Sequence, residues 1–323
     1  MHIVITGAAG FIGKKLAARL ARDCKIDGQT ITKLTLFDIV EPEAPLSNGP
    51  DILTVAGDIT DAGIAARLVG DDCGGVFHLA AIVSAGAEED FDLGMAVNLE
   101  ANRSLLEACR ALPNVPKYVF ASSVAGFGGN MPAILDDETE RTPQTSYGTQ
   151  KVIGELLVTD YSRKGFLQGC SLRLPTVVVR PGKPNKAAST WASSIIREPL
   201  QGDEVICPVR TSQAMFLSSP EIIVENMIKA WEMPAESWGM VPSITLPGLT
   251  LTVEEMLAAL ERVAGKEPVN KVKFVPDAHI QKICDGWPTT FETPRAESLG
   301  FSKDNDYDQI IRQFMENDMV KNS

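Results

Sequence analysis

Tyr147 and Lys151 stand four residues apart in Tyr147-Gly148-Thr149-Gln150-Lys151, a spacing that turns both side chains to one face of a helix. A free phenol ionises near pH ~10, too high for a base at neutral pH. An ammonium one turn away favours the phenolate and lowers that value. Such a pair can take the proton from an alcohol. The run Lys117-Tyr118-Val119-Phe120-Ala121-Ser122-Ser123 reads as a strand ending in two hydroxyls, and Ser123 can hold a substrate oxygen as charge develops on it.

Chemistry of this kind needs an acceptor for the electrons, and the start of the chain offers a place for one. His2-Ile3-Val4-Ile5-Thr6 reads as a strand buried on both faces, and Lys14-Lys15-Leu16-Ala17-Ala18-Arg19-Leu20-Ala21 as a helix. Between them lies Gly7-Ala8-Ala9-Gly10-Phe11-Ile12-Gly13. Strand, glycine turn and helix in that order leave backbone N–H groups at a helix N-terminus, a seat for the pyrophosphate of a dinucleotide. Lys33-Leu34-Thr35-Leu36-Phe37-Asp38 is a second strand ending in an acid able to accept hydrogen bonds from the adenosine ribose. Ile39 and Val40 bring no cation for a 2′-phosphate, so NAD is expected over NADP. With that cofactor bound, the positive nicotinamide adds to the pull on Tyr147, and Lys151 can also bond the nicotinamide ribose.

The elements between these residues alternate. Ile52-Leu53-Thr54-Val55 is a short strand; Asp58 follows, placed to reach the adenine amino group, and Thr60 or Asp61 is expected to cap the next helix. Gly75-Val76-Phe77-His78-Leu79-Ala80-Ala81 is a fourth strand running into small residues against which a cofactor can lie, with His78 read as a satisfied core histidine. Asp92 to Arg110 reads as a long helix with Val97, Leu105, Leu106 and Cys109 on its apolar stripe. Asn98 inside it is no propensity choice and is expected to bond a neighbouring loop. The sum is an α/β fold with a doubly wound, Rossmann-type parallel sheet whose ligand lies at the carboxyl ends of the strands.

Composition narrows the classes. A net charge of −12 over 323 residues argues against a nucleic-acid surface or an anionic membrane. The six cysteines are scattered without a C-x-x-C spacing and the three histidines lie far apart, so neither a disulfide frame nor a metal site is expected. The first strand starts at once, leaving no room for a signal peptide, and no apolar run reaches membrane-spanning length. A cytoplasmic enzyme is the expectation.

Taken in order, Gly7-x-x-Gly10-x-x-Gly13, Asp38, Asp58-Ile59, Leu79-Ala80-Ala81, Ser122-Ser123 and Tyr147-x-x-x-Lys151 resemble the extended short-chain dehydrogenase/reductase family, which includes nucleotide-sugar epimerases and dehydratases. The resemblance covers essentially the whole chain. It implies Tyr147 as base, Lys151 as its partner and Ser123 as the oxygen-binding hydroxyl. It implies NAD contacts from Gly7, Gly10, Phe11, Ile12, Gly13, Asp38, Asp58, Ile59 and Leu79, to which Ala80, Ala81, Asn98, Ser122, Tyr147, Lys151 and Pro175 are added as candidates. A homodimer is implied too, through the helices Asp92–Arg110 and Tyr147–Arg163.

Departures from the family pattern bear on the substrate. Pro175-Thr176 and Arg180-Pro181-Gly182 stand where members acting on nucleotide sugars carry Asn and Tyr-Gly-Pro; Val124-Ala125 replaces the acid pair of dehydratases. In exchange, Arg180-Pro181-Gly182-Lys183-Pro184-Asn185-Lys186 gathers cations and an amide able to hold a small carboxylate. The candidate substrate contacts are Ser84, Ser123, Thr176, Arg180, Lys183 and Asn185. Leu172 to Pro184 and Ile195 to Leu200 resemble a branch of the family whose activity is NAD-dependent oxidation of a small, D-erythronate-like sugar acid at C2 to the 2-oxo acid. A nucleotide-sugar 4-epimerase with the same Ser/Tyr/Lys set, and a non-catalytic NAD sensor, are the rivals. Residues 1–181 are expected to form the NAD-binding domain, with part of 205–235 returning to it, and 182–323 a smaller mixed α/β substrate-binding region. There Thr252 and Glu255 should box the start of a helix, and Asp308 to Asn317 form another. Trp287, Phe291 and Arg295 are read as packing between the two regions.

Overall fold

Burial on both faces drives the first element: all five residues of the strand His2–Thr6 (β1) are buried. The computed structural model describes residues 1–182 and 188–319. The chain divides into two compact units, the first made of Met1–Gly126, Pro143–Leu174 and Val224–Thr245, the second of Phe127–Thr142, Pro175–Ile223 and Leu246–Ser323.

In the first unit β1 is joined by Lys33–Asp38 (β2), Asp51–Ala56 (β3), Cys73–His78 (β4), Lys117–Ser123 (β5), Gln168–Leu174 (β6) and Ser243–Thr245 (β7). The seven strands lie in the order β7-β6-β5-β4-β1-β2-β3 and every pairing is parallel. This is the doubly wound, Rossmann-type sheet expected. Strand order reverses between β1 and β4, the point where such sheets receive a ligand beyond their carboxyl ends. The returning segment Val224–Thr245 contributes β7, beside β6, and Trp231, whose ring stacks on Phe77 of β4 at 4.7 Å.

Helix Phe11–Asp23 (α1) buries Leu16 and Leu20, as their i,i+4 spacing requires. The helical stretch from Phe91 is not uniform. Residues Phe91–Gly94 and Ala101–Arg110 (α2) are α-helical, while Met95–Glu100 between them takes the wider π turn. Val97, Leu105, Leu106 and Cys109 form the buried stripe predicted, packed with Val76, Tyr118, Phe120 and Val158. Helix Ser146–Arg163 (α3) starts at Thr145, whose hydroxyl accepts from Gly148 N–H at 3.1 Å.

One expected cap is not formed. The helix after β3 spans Ile64–Leu68 and begins at Gly63, φ 78°, with no side-chain cap. Thr60 instead donates its hydroxyl and its N–H to Asp58, at 2.7 and 2.8 Å. The Asp58 carboxylate turns the Thr60 hydroxyl and N–H toward itself in an Asx turn ahead of the helix.

The second unit is smaller in sheet. Thr176–Val177 pairs parallel with Ala214–Ser218, which pairs antiparallel with Leu249–Thr252; Val205–Cys207 pairs with Val272–Phe274. Trp191, Ile195, Met215, Leu217, Met256, Leu260, Ile310 and Phe314 form its core. The Thr252/Glu255 capping box is present at Val253–Ala264, and the last helix spans Tyr307–Asn317, capped by Asp306. Phe291 lies 4.4 Å from Phe216 and 5.6 Å from Phe127, Arg295 donates its backbone N–H to Asp137, and Trp287 packs on this unit's core, so Phe291 and Arg295 tie residues beyond 182 to the stretch Phe127–Thr142 that belongs to the same unit. All six cysteines are free thiols, five of them buried. No helix among the described residues is long and apolar enough to cross a membrane, and no cluster of metal-ligating side chains occurs among them.

Candidate active site

Close backbone packing brings the chemistry to one end of the first unit's sheet. A Cβ on Gly148 would fall 2.1 Å from the Ala125 carbonyl oxygen, so α3 can lie directly on the turn that follows Ser123 only because residue 148 is glycine. Ser123 accepts from the Ala125 N–H at 3.1 Å, which fixes the hydroxyl oxygen and leaves its proton available to donate. On the helix above, the Lys151 Nζ donates to the Ala121 carbonyl at 2.8 Å and sits 4.7 Å from the Phe120 ring centre and 5.6 Å from that of Tyr147. The sequence-predicted trio thus shares one strand end and one helix face. Lys151 is 2% exposed; burial pulls its ammonium down to about 7, opposed by the negative charge of Glu155.

At the other side of the switch point the glycine loop has the form of an anion seat. Helix α1 begins at Gly10 with no side-chain cap and no acid in its first turn, so its leading N–H groups remain to receive an anion. Gly7 has φ 74°, and a Cβ there would lie 2.7 Å from Ala80 N, while one on Gly13 would lie 2.2 Å from the Gly7 carbonyl oxygen. At Gly10, by contrast, a Cβ would meet only the Gly7 oxygen, at 3.2 Å, and this residue is exposed. The packing glycines face protein and the middle one faces outward, as a bound pyrophosphate requires. Asp38 ends β2 beside this loop, accepting from Ala9 N–H at 2.9 Å and from Ile39 N–H at 2.7 Å. Phe11 and Ile12 lie in the first turn of α1, and the half-buried Leu79, Ala80 and Ala81 follow β4. Ile59 is buried; Asp58 carries its Thr60 bonds, which hold its carboxyl below the usual range.

Asn98 sits in the π turn and bonds the chain after β4 both ways: it accepts from Ile82 N–H at 2.9 Å and donates to Ile82 O at 3.0 Å. Its amide also donates to Gln150 Oε1 at 2.7 Å, a link to α3 absent from the sequence reading. The widened turn is what lets an asparagine reach sideways out of a helix. His78 is fully buried but only half satisfied. Its Nδ1 pairs with Thr6 Oγ1 at 2.7 Å and its Nε2 has no protein partner; burial, then Lys151, pushes the ring down to about 3.

The substrate candidates are distributed. Ser84 opens the helix Ser84–Glu89 in the first unit. In the second, Thr176 starts the short strand beside Leu217, directly after the buried Pro175, a cofactor candidate. Arg180 directs Nε to the Val177 carbonyl at 3.0 Å and Nη2 to Ser189 Oγ at 2.9 Å, so its guanidinium holds together the two ends of its own loop. Lys183 and Asn185, with Pro184 and Lys186, lie outside the described residues. Sequence reasoning passed over Glu155 and Arg173. The i,i+4 spacing from Lys151 was the available signal for Glu155; Arg173 pairs with it across helix and strand, a contact no local spacing announces.

A dinucleotide seat at the switch point of a parallel sheet, with a serine at a strand end and Tyr-x-x-x-Lys on the next helix, defines a nicotinamide-dependent oxidoreductase of the short-chain type. The chain belongs to the NAD dependent epimerase/dehydratase family, whose model matches residues 3–215, and NAD is its cofactor. The chain is 46% identical over 320 residues to a D-erythronate dehydrogenase of Cupriavidus necator, covering 98% of both chains. It is 42% identical to the enzyme of that name from Haemophilus influenzae, covering 99% of this chain and 100% of that one. A crystal structure of a nucleoside-diphosphate-sugar epimerase from Agrobacterium tumefaciens superposes with a TM-score of 0.95 at 43% identity, over 98% of this chain and 94% of that one.

Proposed function

We propose that this protein is an NAD-dependent dehydrogenase that oxidises a small sugar acid of the D-erythronate type at C2 to the 2-oxo acid. The observation that carries the chemistry is the seating of Lys151 beneath the Tyr147 ring by the Ala121 carbonyl. The substrate class is supported by the two full-length relatives named D-erythronate dehydrogenase. Bound NAD supplies the acceptor for the electron pair leaving the carbon. Tyr147 takes the hydroxyl proton, its phenolate favoured by the cation below it. Ser123, its oxygen already engaged by Ala125, donates to the substrate oxygen and steadies the charge that develops there. Lys151 tunes the base and holds the ribose. Thr176 and Arg180, with Lys183 and Asn185, are the proposed holders of the carboxylate, and Ser84 a proposed contact of the sugar chain.

The protein is proposed to work in the cytoplasm, where its six free thiols persist unpaired, and as a homodimer. Exposed Phe91, Leu93 and Leu156 on the helices flanking the sheet support pairing through that side. The test of activity is NADH formation across four- to six-carbon sugar acids. Stoichiometric NADH with D-erythronate is expected; none with any sugar acid would sink the reading. A second reading, nucleotide-sugar 4-epimerase, draws support from the Agrobacterium structure. An epimerase ends each turnover with no net NADH, so the same absorbance trace separates the two when nucleotide sugars are included.

A further inference from the structure

Behind Tyr147 and Lys151 lies a second charge pair that the chemistry above does not use. Glu155 stands four residues after Lys151, one turn further along the same face of α3. Glu155 and Arg173 are 2% and 3% exposed. From β6, Arg173 donates Nε to Oε1 and Oε2 at 3.1 and 3.0 Å and Nη2 to Oε2 at 2.7 Å. Ser122 donates its hydroxyl to Oε1 of the same carboxylate. One face of α3 therefore grips successive residues of β5, Lys151 at Ala121 and Glu155 at Ser122, and the next residue is Ser123.

Replacing a buried ion pair by apolar side chains is often neutral or stabilising, so stability alone is a weak reason for one to exist. The local reason is Lys151. The groups about it are Tyr147 and Glu155 on α3, Phe120 and the Ala121 carbonyl on β5, and His78 on β4, while Ser122 and Arg173 bond the Glu155 carboxylate. Of these Glu155 carries the negative charge that offsets the loss of water around the ammonium. Arg173 and Ser122 hold that charge in place.

We infer that Glu155 is a positioning residue: held by Arg173 and Ser122, it keeps Lys151 cationic beneath Tyr147 and keeps Ser123 in register with the base. The inference rests on the reading of Tyr147 and Lys151 given above. It is tested on cofactor-free protein by the pH at which Lys151 loses its proton, followed by NMR of lysine labelled at Cε; Lys151→Met identifies the signal.

Removing the negative charge alone, in Glu155→Gln, leaves Arg173 positive, and Lys151 sheds its proton more easily. Its titration midpoint is expected to fall by about one pH unit, and kcat/KM at neutral pH to fall with it. Removing the positive charge alone, in Arg173→Gln, should not lower the midpoint. The double variant should fall between Glu155→Gln and the wild type. Loosened packing would move both single variants alike, so equal falls, or no fall in Glu155→Gln, overturn the inference. Should Glu155→Gln fail to fold, the double variant carries the test: a midpoint at or above that of the wild type overturns the inference. Lys151→Met separates the two readings. If it retains full activity the catalytic assignment fails; if it is inactive while Glu155→Gln titrates like the wild type, only the role of Glu155 fails.

Discussion

The two units hold their polar side chains in different ways. In the first, Ser123, Tyr147 and Lys151 project from a regular strand and a regular helix, and glycines with backbone against them fix how closely those elements approach. In the second, Arg180 projects from irregular chain and is braced by a carbonyl and a serine of its own loop. Positions set by sheet and helix are the more exact, and loops the more changeable. The division suits an enzyme in which the redox chemistry is fixed and the substrate is what varies.

The largest effect expected of any change that probes this contrast is on turnover. Tyr147→Phe should lower kcat by about 10³-fold while NAD affinity, read by fluorescence titration, stays as it is; undiminished turnover would remove Tyr147 from the mechanism. Next comes packing. Gly13→Ala places a Cβ 2.2 Å from a carbonyl oxygen and should cost about 3 kcal/mol of unfolding free energy together with NAD binding. Gly182→Ala, in the second unit, meets no atom of the described residues within 4 Å and carries the strain of φ 87°, about 1 kcal/mol. Equal losses in denaturant melts would erase the contrast.

Acid should act through the first unit. His78 ionises near 6.5 when unfolded and near 3 when buried, so the unfolded chain binds the extra proton between those values and stability falls as pH falls through that window. This one group should contribute about 1.4 kcal/mol per pH unit between pH 6 and 4, and His78→Gln should remove that slope from urea melts. A slope unchanged in the variant would show that the ring is not neutral in the fold. The last effect belongs to the second unit. Arg180→Ala should raise KM for the sugar acid by about 10-fold with a lesser change in kcat. A fall in kcat at constant KM would mean that Arg180 serves its loop and not the substrate.

What the sequence disclosed follows the same line. The glycine loop, Asp38, Ser123 and the Tyr147–Lys151 pair were legible because each depends on a local pattern: a turn, a strand end, one helical spacing. The doubly wound parallel sheet followed from the alternation of strand and helix. The π turn was not legible, since nothing in Met95–Glu100 distinguishes a widened turn from an α turn until Asn98 bonds Ile82 and Gln150. The uncapped start of the Ile64–Leu68 helix was not legible either: Thr60 is turned back to Asp58 and the helix begins at Gly63. Arg173 on Glu155 depends on which strand lies beneath α3, a fact of assembly and not of spacing.

Asp38 shows what such an arrangement means between catalytic cycles. Its carboxylate already accepts the Ala9 N–H from within the glycine loop, so the loop is tied to the end of β2 by the protein's own groups. The disorder that binding would otherwise have to remove is removed when the chain folds. A nucleotide arriving at this loop would meet a receptacle already shaped.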